Sequence, residues 1–408
     1  MKSLSSITLN TSAVVTVIIV LNYAMLPWQL TFIDLPATAY IAFFAVLLIG
    51  VLFFEKNFRI RPYFILWLLW GAVNITLSDI PEEVEPWNRF AGFLIISAML
   101  AIGPSGEWIK IFRIKLLNFM FILITICMLI SFMLYVAGVD LPWTKSNFHG
   151  IFNHSMMLGP LAGMGTIFLL SHAMYKNGKL KKLSLFLSIV SFLCCLLSGS
   201  RIAVVSMMIG IMILLFYSPW KKYILYILVL GATILCALQK DVVQNAYLEN
   251  IMNKHETNME LGGLAASREY LWQILLNDIV KNPILGCGFG NMGGGVLNGG
   301  KIEPGSSWLY AWASLGIVGF ALTIYLWCGT AIKMSSFCYK NSRSAMLLSL
   351  LCFCVVHMVA EGYIFSMGSG LFFMAWMILG NCIDCLEGFS VSEKELQKNT
   401  EPLNGNST

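Results

Sequence analysis

Long apolar segments recur along the whole 408-residue chain and restrict it to one kind of fold. An apolar helix of roughly 20 residues spans a bilayer, and backbone groups within lipid must be hydrogen-bonded internally. Hydrophobic residues make up 58% of the chain and charged residues only 12%, unlike a soluble globular protein. The sequence therefore predicts an all-α polytopic membrane protein with about twelve transmembrane helices. The predicted spans are 13–32, 38–54, 63–77, 90–102, 116–139, 156–174, 183–197, 202–216, 223–238, 307–331, 345–360 and 364–385.

Lysine and arginine residues favour every second connection between these spans. If the N-terminus is inside, 18 of the 26 basic residues lie in inside segments. Basic residues are retained on the cytoplasmic side, so both termini are predicted to be cytoplasmic. Because spans 63–77 and 90–102 are short, eleven or thirteen passes remain alternatives. The outward basic residues are Arg89, Lys145, Arg201, Lys240, Lys254, Arg268, Lys281 and Lys301.

One connection is much longer than the others. Residues 239–306 are predicted to form a large outward loop, and loops of this length are usually functional or disordered. Apolar spacing predicts an amphipathic helix from Arg268 to Val280, which Asn282 and Pro283 end. The predicted organisation is spans one to nine in 1–238, the loop in 239–306, spans ten to twelve in 307–385, and a disordered cytoplasmic tail in 386–408.

Polar constellations on the predicted outer face are candidates for chemistry. Ser198-Gly199-Ser200-Arg201 forms a turn whose hydroxyls and amides suit an anion, although an arginine there could also snorkel to lipid headgroups. His357 and Glu361 are four residues apart, which predicts one helix face at the outer end of the eleventh span. Ionisable residues within a membrane are usually functional, and a hydrogen-bonded helix cap is the alternative.

The glycine run 286–295 permits two interpretations. Nucleotide-binding glycine loops need a preceding strand and a following helix, and ATP and NAD are not supplied outside the cytoplasm. A flexible loop that closes over a ligand, or a plain turn cluster, remains. In another outward connection, the pair His149 and His154 lacks helical metal-ligand spacing, so no metal site is predicted.

Taken in order along the chain, these motifs resemble the O-antigen ligase and polymerase superfamily. The resemblance covers roughly residues 145–385. It is carried by Ser198-Gly-Ser200-Arg201, the long loop with Arg268 and Trp272, Pro283-Ile-Leu-Gly286-Cys-Gly288-Phe-Gly290, Ser306-Ser-Trp308-Leu309 and Leu315-Gly316-Ile-Val-Gly319.

This resemblance implies a metal-independent, cofactor-free glycosyltransferase of the C type (GT-C-like) in the bacterial inner membrane. Such enzymes take a glycan from undecaprenyl pyrophosphate on the periplasmic side and pass it to a glycan or lipid-linked acceptor. The implied partners are that donor, that acceptor, the lipid bilayer and a chain-length regulator; nucleic acid is not among them.

The chemistry of that reaction assigns roles to the candidate residues. Arginine holds phosphate oxygens bidentately and stays charged, so Arg201 and Arg268, with Ser200, are predicted to bind the pyrophosphate. A carboxylate or imidazole must deprotonate the acceptor hydroxyl. Glu361 with His357 are the predicted catalytic groups, and His154 is an alternative base. The remaining predicted substrate contacts are Ser306 and Trp308.

One position separates the two branches of the superfamily. Ligases carry a histidine eleven residues before the first glycine of the Gly-x-x-Gly pair, and Gly305 stands in that place here. The sequence therefore favours polymerisation of O-antigen, capsule or exopolysaccharide repeat units. Ligation of glycan to lipid A core is one alternative. A polysaccharide flippase or transporter is another, although such folds usually contain internal repeats, which this chain lacks.

Overall fold

The computed structural model describes residues 2–27, 30, 35–55, 59–139, 141, 148–175, 177–218, 266–291, 304–338 and 342–388. Regular structure in these ranges is almost entirely α-helical. Strands β1 (Arg59–Ile60) and β2 (Pro104–Ser105) form one short antiparallel pair. The helices are α1 (Lys2–Val20), α2 (Ala37–Phe54), α3 (Pro62–Leu77), α4 (Pro86–Ser97), α5 (Glu107–Val136), α6 (Ser155–Tyr175), α7 (Lys179–Leu197), α8 (Arg201–Phe216), α9 (Ala266–Lys281), α10 (Ser307–Phe337), α11 (Ser342–His357) and α12 (Gly370–Leu386).

These helices agree with the predicted spans wherever the chain is described. Each predicted span except 223–238 coincides with a helix; 223–238, most of 239–306 and the tail from 389 lie outside the described residues. By length and composition, α5, α6, α7 and α10 can each cross a membrane, and most of the others are shorter apolar helices. The chain is therefore an all-α membrane protein, and the number of its spans remains a prediction.

Helix α6 lies at the centre of the bundle and is the most buried of the long apolar helices. Its glycines let neighbouring helices approach closely, as small residues do between membrane helices. A Cβ on Gly159 would lie 2.6 Å from the Ser198 hydroxyl, and one on Gly163 would lie 2.8 Å from the Phe353 ring. The tight packing fixes the turn before α8 and the last turns of α11 against the start of α6.

A buried ion network, here called the Asp384 cluster, joins the end of α12 to the starts of α3 and α5. It consists of Arg61, Lys110, Arg113, Asp384 and Glu387. Arg61 pairs with both carboxylates, Arg113 contacts Asp384 at 3.1 Å, and Lys110 contacts Glu387 at 2.6 Å. Glu387 is the first residue after α12 and lies in the segment 386–408 that is predicted to be the tail.

The same arginines satisfy a π-helical turn, Ala98–Ile102, that follows α4. Arg113 donates to the carbonyls of Met99 and Ala98 at 3.0 and 3.2 Å, and Arg61 donates to Ala101. Residues that the sequence identifies only as topology signals therefore hold three helices together.

Helix α10 is broken at Gly316, where the backbone turns to φ 64° and ψ −172°. Residues 282–291 pack against α10 at this break. Cys287 and Gly288 donate their amides to the Ala313 and Ser314 carbonyls at 2.8 and 2.9 Å, and Ile317 donates to Pro283 at 2.9 Å. The segment thus replaces hydrogen bonds that the helix loses at the break, which buried carbonyls require.

Asn74 of α3 completes this junction. Its amide donates to the Leu285 carbonyl at 2.6 Å, and its carbonyl oxygen accepts the Phe289 amide at 2.8 Å. Part of the glycine run is therefore a docked structural segment. A Cβ on Gly316 would lie 1.9 Å from the Ile284 oxygen, which explains why glycine occupies this position.

Candidate functional site

The site is organised by Ser307, the first residue of α10. Its hydroxyl donates to the Glu361 carbonyl at 2.6 Å and accepts the Tyr363 amide at 3.1 Å. Its own amide lies 2.9 and 3.0 Å from the Met358 and Glu361 carbonyls. This one buried side chain folds the connection between α11 and α12 over the start of α10 and fixes the backbone of Glu361.

Glu361 forms an ion pair with Arg268 of α9. The Arg268 Nη2 and Glu361 Oε1 atoms are 2.5 Å apart, and the two side chains remain 10% and 12% exposed. We call Arg268, Ser307 and Glu361 the Glu361 cluster. The structure thus joins a predicted phosphate-binding arginine to the predicted general base, which lies 93 residues away in sequence.

The helical relation predicted for His357 and Glu361 is wrong. Helix α11 ends at His357, and Glu361 lies in the connection that follows it. His357 is fully buried, stacks on Phe353 with ring centroids 5.5 Å apart, and lies 5.6 Å from the Tyr363 ring. Among the described residues, neither ring nitrogen has a hydrogen-bond partner.

Trp272 holds Arg268 against the segment before α10. The Trp272 indole donates to the Gly305 carbonyl at 3.0 Å. A Cβ on Gly305 would lie 3.1 Å from Leu271 and 3.6 Å from the Arg268 side chain. Gly305 has φ +64°, a conformation that favours glycine. The position of the ligase histidine therefore lies at the site, in a backbone that disfavours a side chain.

The start of α6 connects the Glu361 cluster to the Ser-Arg turn. Met156 contacts the Arg268 guanidinium through its sulfur at 3.6 Å. One turn later, Gly159 packs on the turn so closely that a Cβ there would lie 2.8 Å from the Ser200 Cβ. Ser200 is buried, its amide donates to the Ser198 hydroxyl at 3.2 Å, and Arg201 begins α8. The two predicted phosphate-binding regions thus flank one end of α6.

The other predicted substrate contacts have structural roles. Ser306 caps α10 by accepting the Leu309 amide at 3.4 Å, and the Trp308 indole donates to the Val355 carbonyl at 3.0 Å. His154 accepts the Met156 amide at 3.0 Å and so caps α6. Whether any of them also contacts substrate remains a prediction.

Two residues that organise the site escaped the sequence analysis. Ser307 could not be distinguished from its neighbour Ser306, because only the backbone geometry decides which hydroxyl points to Glu361. Asn74 could have been identified from the sequence, because a lone side-chain amide in an apolar span needs a hydrogen-bond partner. Among the described residues, no group of three or more histidine, cysteine or acidic side chains could hold a metal ion.

The fold and the polar end of α6 define a helical membrane protein with an arginine–carboxylate site at one end. Residues 186–324 match the O-antigen ligase family. This match confirms the resemblance drawn from the motifs and assigns the segment to the O-antigen ligase and polymerase superfamily. It includes Arg201, Arg268 and Gly316 but ends before His357 and Glu361. A comparison with curated proteins finds no match.

Proposed function

We propose that this protein polymerises glycan repeat units on the periplasmic face of the bacterial inner membrane. The donor is a glycan on undecaprenyl pyrophosphate, and the acceptor is a second lipid-linked repeat unit. The observation that carries the proposal is the Arg268–Glu361 pair, because a guanidinium is suited to binding phosphate and a carboxylate is suited to accepting a proton. The superfamily match supports glycan transfer in general, and the positive-inside pattern supports the periplasmic side.

In the proposed reaction the acceptor hydroxyl oxygen attacks the anomeric carbon of the donor. The bond from that carbon to the pyrophosphate oxygen breaks, and the lipid pyrophosphate leaves with its bonding electrons. The hydroxyl proton passes to the Glu361 carboxylate. Arg268 and Arg201 stabilise the charge that develops on the leaving group, which is often the largest contribution to catalysis.

The ion pair between Arg268 and Glu361 determines the order of the steps in this reaction. While Arg268 holds Glu361, the carboxylate is engaged by the guanidinium and is not directed at the acceptor. An arriving pyrophosphate offers Arg268 two oxygens in place of one, since arginine binds phosphate bidentately. Transfer of Arg268 to the donor then releases Glu361 towards the acceptor. His357 is assigned a positioning role, because it packs against Tyr363, whose amide the Ser307 hydroxyl accepts.

Polymerisation is preferred to ligation because of Gly305. Ligases of the superfamily place a histidine there, whereas here the position has a left-handed backbone and no side chain, although a Cβ would lie 3.6 Å from the Arg268 Cδ atom. A strain lacking the protein should therefore accumulate single repeat units or short glycan, while transfer to lipid A core persists. Long polymer on undecaprenyl pyrophosphate with none on lipid A core would instead identify a ligase.

The site is tested by Arg268→Lys. Lysine keeps the charge but loses the bidentate fork, so we expect long glycan to fall about a hundredfold at unchanged protein abundance. Glycan length in the complemented deletion strain is the measurement. Arg59→Lys, at an exposed arginine of β1, is the matched control and should restore full-length glycan. Near-normal polymer in the Arg268→Lys strain would refute the shared site.

A further inference from the structure

A second cavity, of about 60 Å³, lies beside the Glu361 cluster and has no part in the reaction proposed above. It is enclosed by α4, α10, the docked segment 282–291 and the connection between α11 and α12. Its lining includes Arg89, Phe289, Pro304, Tyr310, Phe365 and Ser366. One water needs about 15 Å³ of such volume, so the cavity holds about four waters or one small chemical group.

The cavity shares its walls with the Glu361 cluster. Pro304 lines the cavity, while the next residue, Gly305, lies at a place where a Cβ would be 3.6 Å from the Arg268 Cδ atom. Ser366 lies in the same connection as Glu361, and a Cβ on Gly362 would lie 2.1 Å from Pro304. A ligand that extends over the segment 304–307 therefore reaches both places.

Two sequence features that the proposed reaction does not use meet here. Gly290, in the glycine run, also lines the cavity and has φ +79°. A Cβ at that position would lie 3.2 Å from the Arg89 Cδ atom. Glycine therefore lets the Arg89 side chain lie against the loop backbone. Arg89 is one of the outward basic residues that cytoplasmic retention does not explain.

The polar groups around the cavity offer both donors and an acceptor. The Arg89 guanidinium lines the cavity, contacts other groups of the protein, and has N–H donors of the kind that a carbonyl oxygen accepts. The Tyr310 hydroxyl is a further donor. Ser366 donates its proton to the Gly362 carbonyl at 3.2 Å, so its oxygen remains an acceptor for a ligand N–H.

The remaining walls are aromatic. The Phe289 and Phe365 rings lie 5.4 Å apart, and the Tyr310 ring lies 5.8 Å from Phe365. Ring faces carry negative electrostatic potential, so they disfavour a carboxylate and accommodate a methyl group. The cavity therefore combines donors for a carbonyl, an acceptor for an amide N–H and an apolar wall for a methyl.

From this combination we infer that the cavity binds the acetamido group of an N-acetylated sugar. The carbonyl oxygen accepts from Arg89 and Tyr310, the amide N–H donates to Ser366, and the methyl packs against the edge of the contacting Phe289 and Phe365 rings. Because the cavity adjoins the Glu361 cluster, the sugar belongs to the acceptor end of the glycan. Only this last assignment rests on the proposed function; acetamido binding does not.

The test is ligand-observed NMR on the full-length protein in nanodiscs. The probes are methyl glycosides of N-acetylglucosamine, its N-propionyl analogue, glucose and glucuronic acid. We expect saturation transfer that is strongest at the acetyl methyl and at least threefold weaker for glucose and glucuronate. The N-propionyl analogue should also bind more weakly, because its extra methylene must displace part of the aromatic wall.

Variants assign the signal to the cavity. Arg89→Gln and Ser366→Ala should each reduce acetyl saturation at least threefold, whereas Arg268→Gln should abolish polymer and leave the acetyl signal intact. An acetyl signal unchanged in both cavity variants, equal binding of the N-propionyl analogue, or preference for glucuronate would overturn the inference. The comparison of probes uses the unaltered protein and so holds even if a variant fails to fold.

Discussion

One ion-pair cluster at the end of α12 and another that includes the connection before α12 are built from the same residue types but serve different purposes. In the Asp384 cluster, Arg113 is fully buried and is shared between a carboxylate and backbone carbonyls. The Glu361 cluster is centred on one arginine–carboxylate contact between partly exposed side chains. A pair saturated by the protein serves the fold, whereas a pair that solvent and ligands can reach is able to exchange partners.

Breaking the Asp384 cluster should have the largest effect, a loss of stability of the folded protein. Asp384→Asn leaves Arg61 and Arg113 buried beside a neutral group, and loss of one member of a buried pair costs about 3–5 kcal/mol. We expect a much lower thermal unfolding midpoint in detergent and poor recovery of folded protein. Glu361→Gln, the equivalent change in the Glu361 cluster, should leave the thermal unfolding midpoint nearly unchanged. Equal destabilisation by both variants would remove the distinction between the clusters.

A substitution in the Glu361 cluster should change the affinity for pyrophosphate instead of the stability of the fold. Glu361→Gln removes the anion that competes for Arg268, so inorganic pyrophosphate should bind about fivefold more tightly, which corresponds to a pair worth about 1 kcal/mol. Elongation should be lost in the same variant, because glutamine is not a base. Calorimetry on protein in nanodiscs measures the binding, with Asp384→Glu as a control for nonspecific anion binding. Unchanged or weaker pyrophosphate binding would contradict the exchange of partners.

A decrease in pH should have a smaller effect on the stability of the fold. Burial raises the pKa of Glu387, but the hydrogen bonds and charges of Arg61 and Lys110 outweigh burial and lower it from 4.5 to about 2. A carboxyl with a lower pKa in the folded state stabilises the fold above its unfolded pKa and loses that contribution as the pH falls. The unfolding midpoint should therefore decrease between pH 4.5 and 2.

Glu387→Gln is the matched variant for this prediction. It should start from a lower midpoint at neutral pH and show a shallower decrease in the same interval. Parallel curves for the two proteins would mean that other carboxyl groups dominate acid unfolding.

Local patterns predicted the helices but could not predict which of their ends meet. Apolar periodicity located α9, and Asn282 and Pro283 marked its end, because both signals lie within a few residues. The contact between Arg268 and Glu361 joins distant parts of the chain, so no spacing rule reports it. Glu361 itself was expected on a helix, but the backbone leaves helical geometry after His357, where Ser307 binds the following carbonyl groups.

Charge patterns predict sidedness but say nothing about packing. Arg61 and Arg113 contribute to the basic bias that predicts the topology, yet the fold also uses them to satisfy the carbonyls of a π-helical turn. A single sequence cannot separate these two roles, since both require a cation near the same membrane face. The glycine run shows the same ambiguity: Gly288 belongs to a docked segment, while Gly290 lines a cavity.

The break in α10 has a consequence for how the chain is assembled in the membrane. A helix that enters lipid with open carbonyl groups is costly, so its replacement partners must be at hand. Among the described residues those partners are Trp70, Asn74 and residues 283–288, and the ribosome makes all of them before Gly316. The order of synthesis therefore delivers these groups before the broken helix itself leaves the ribosome.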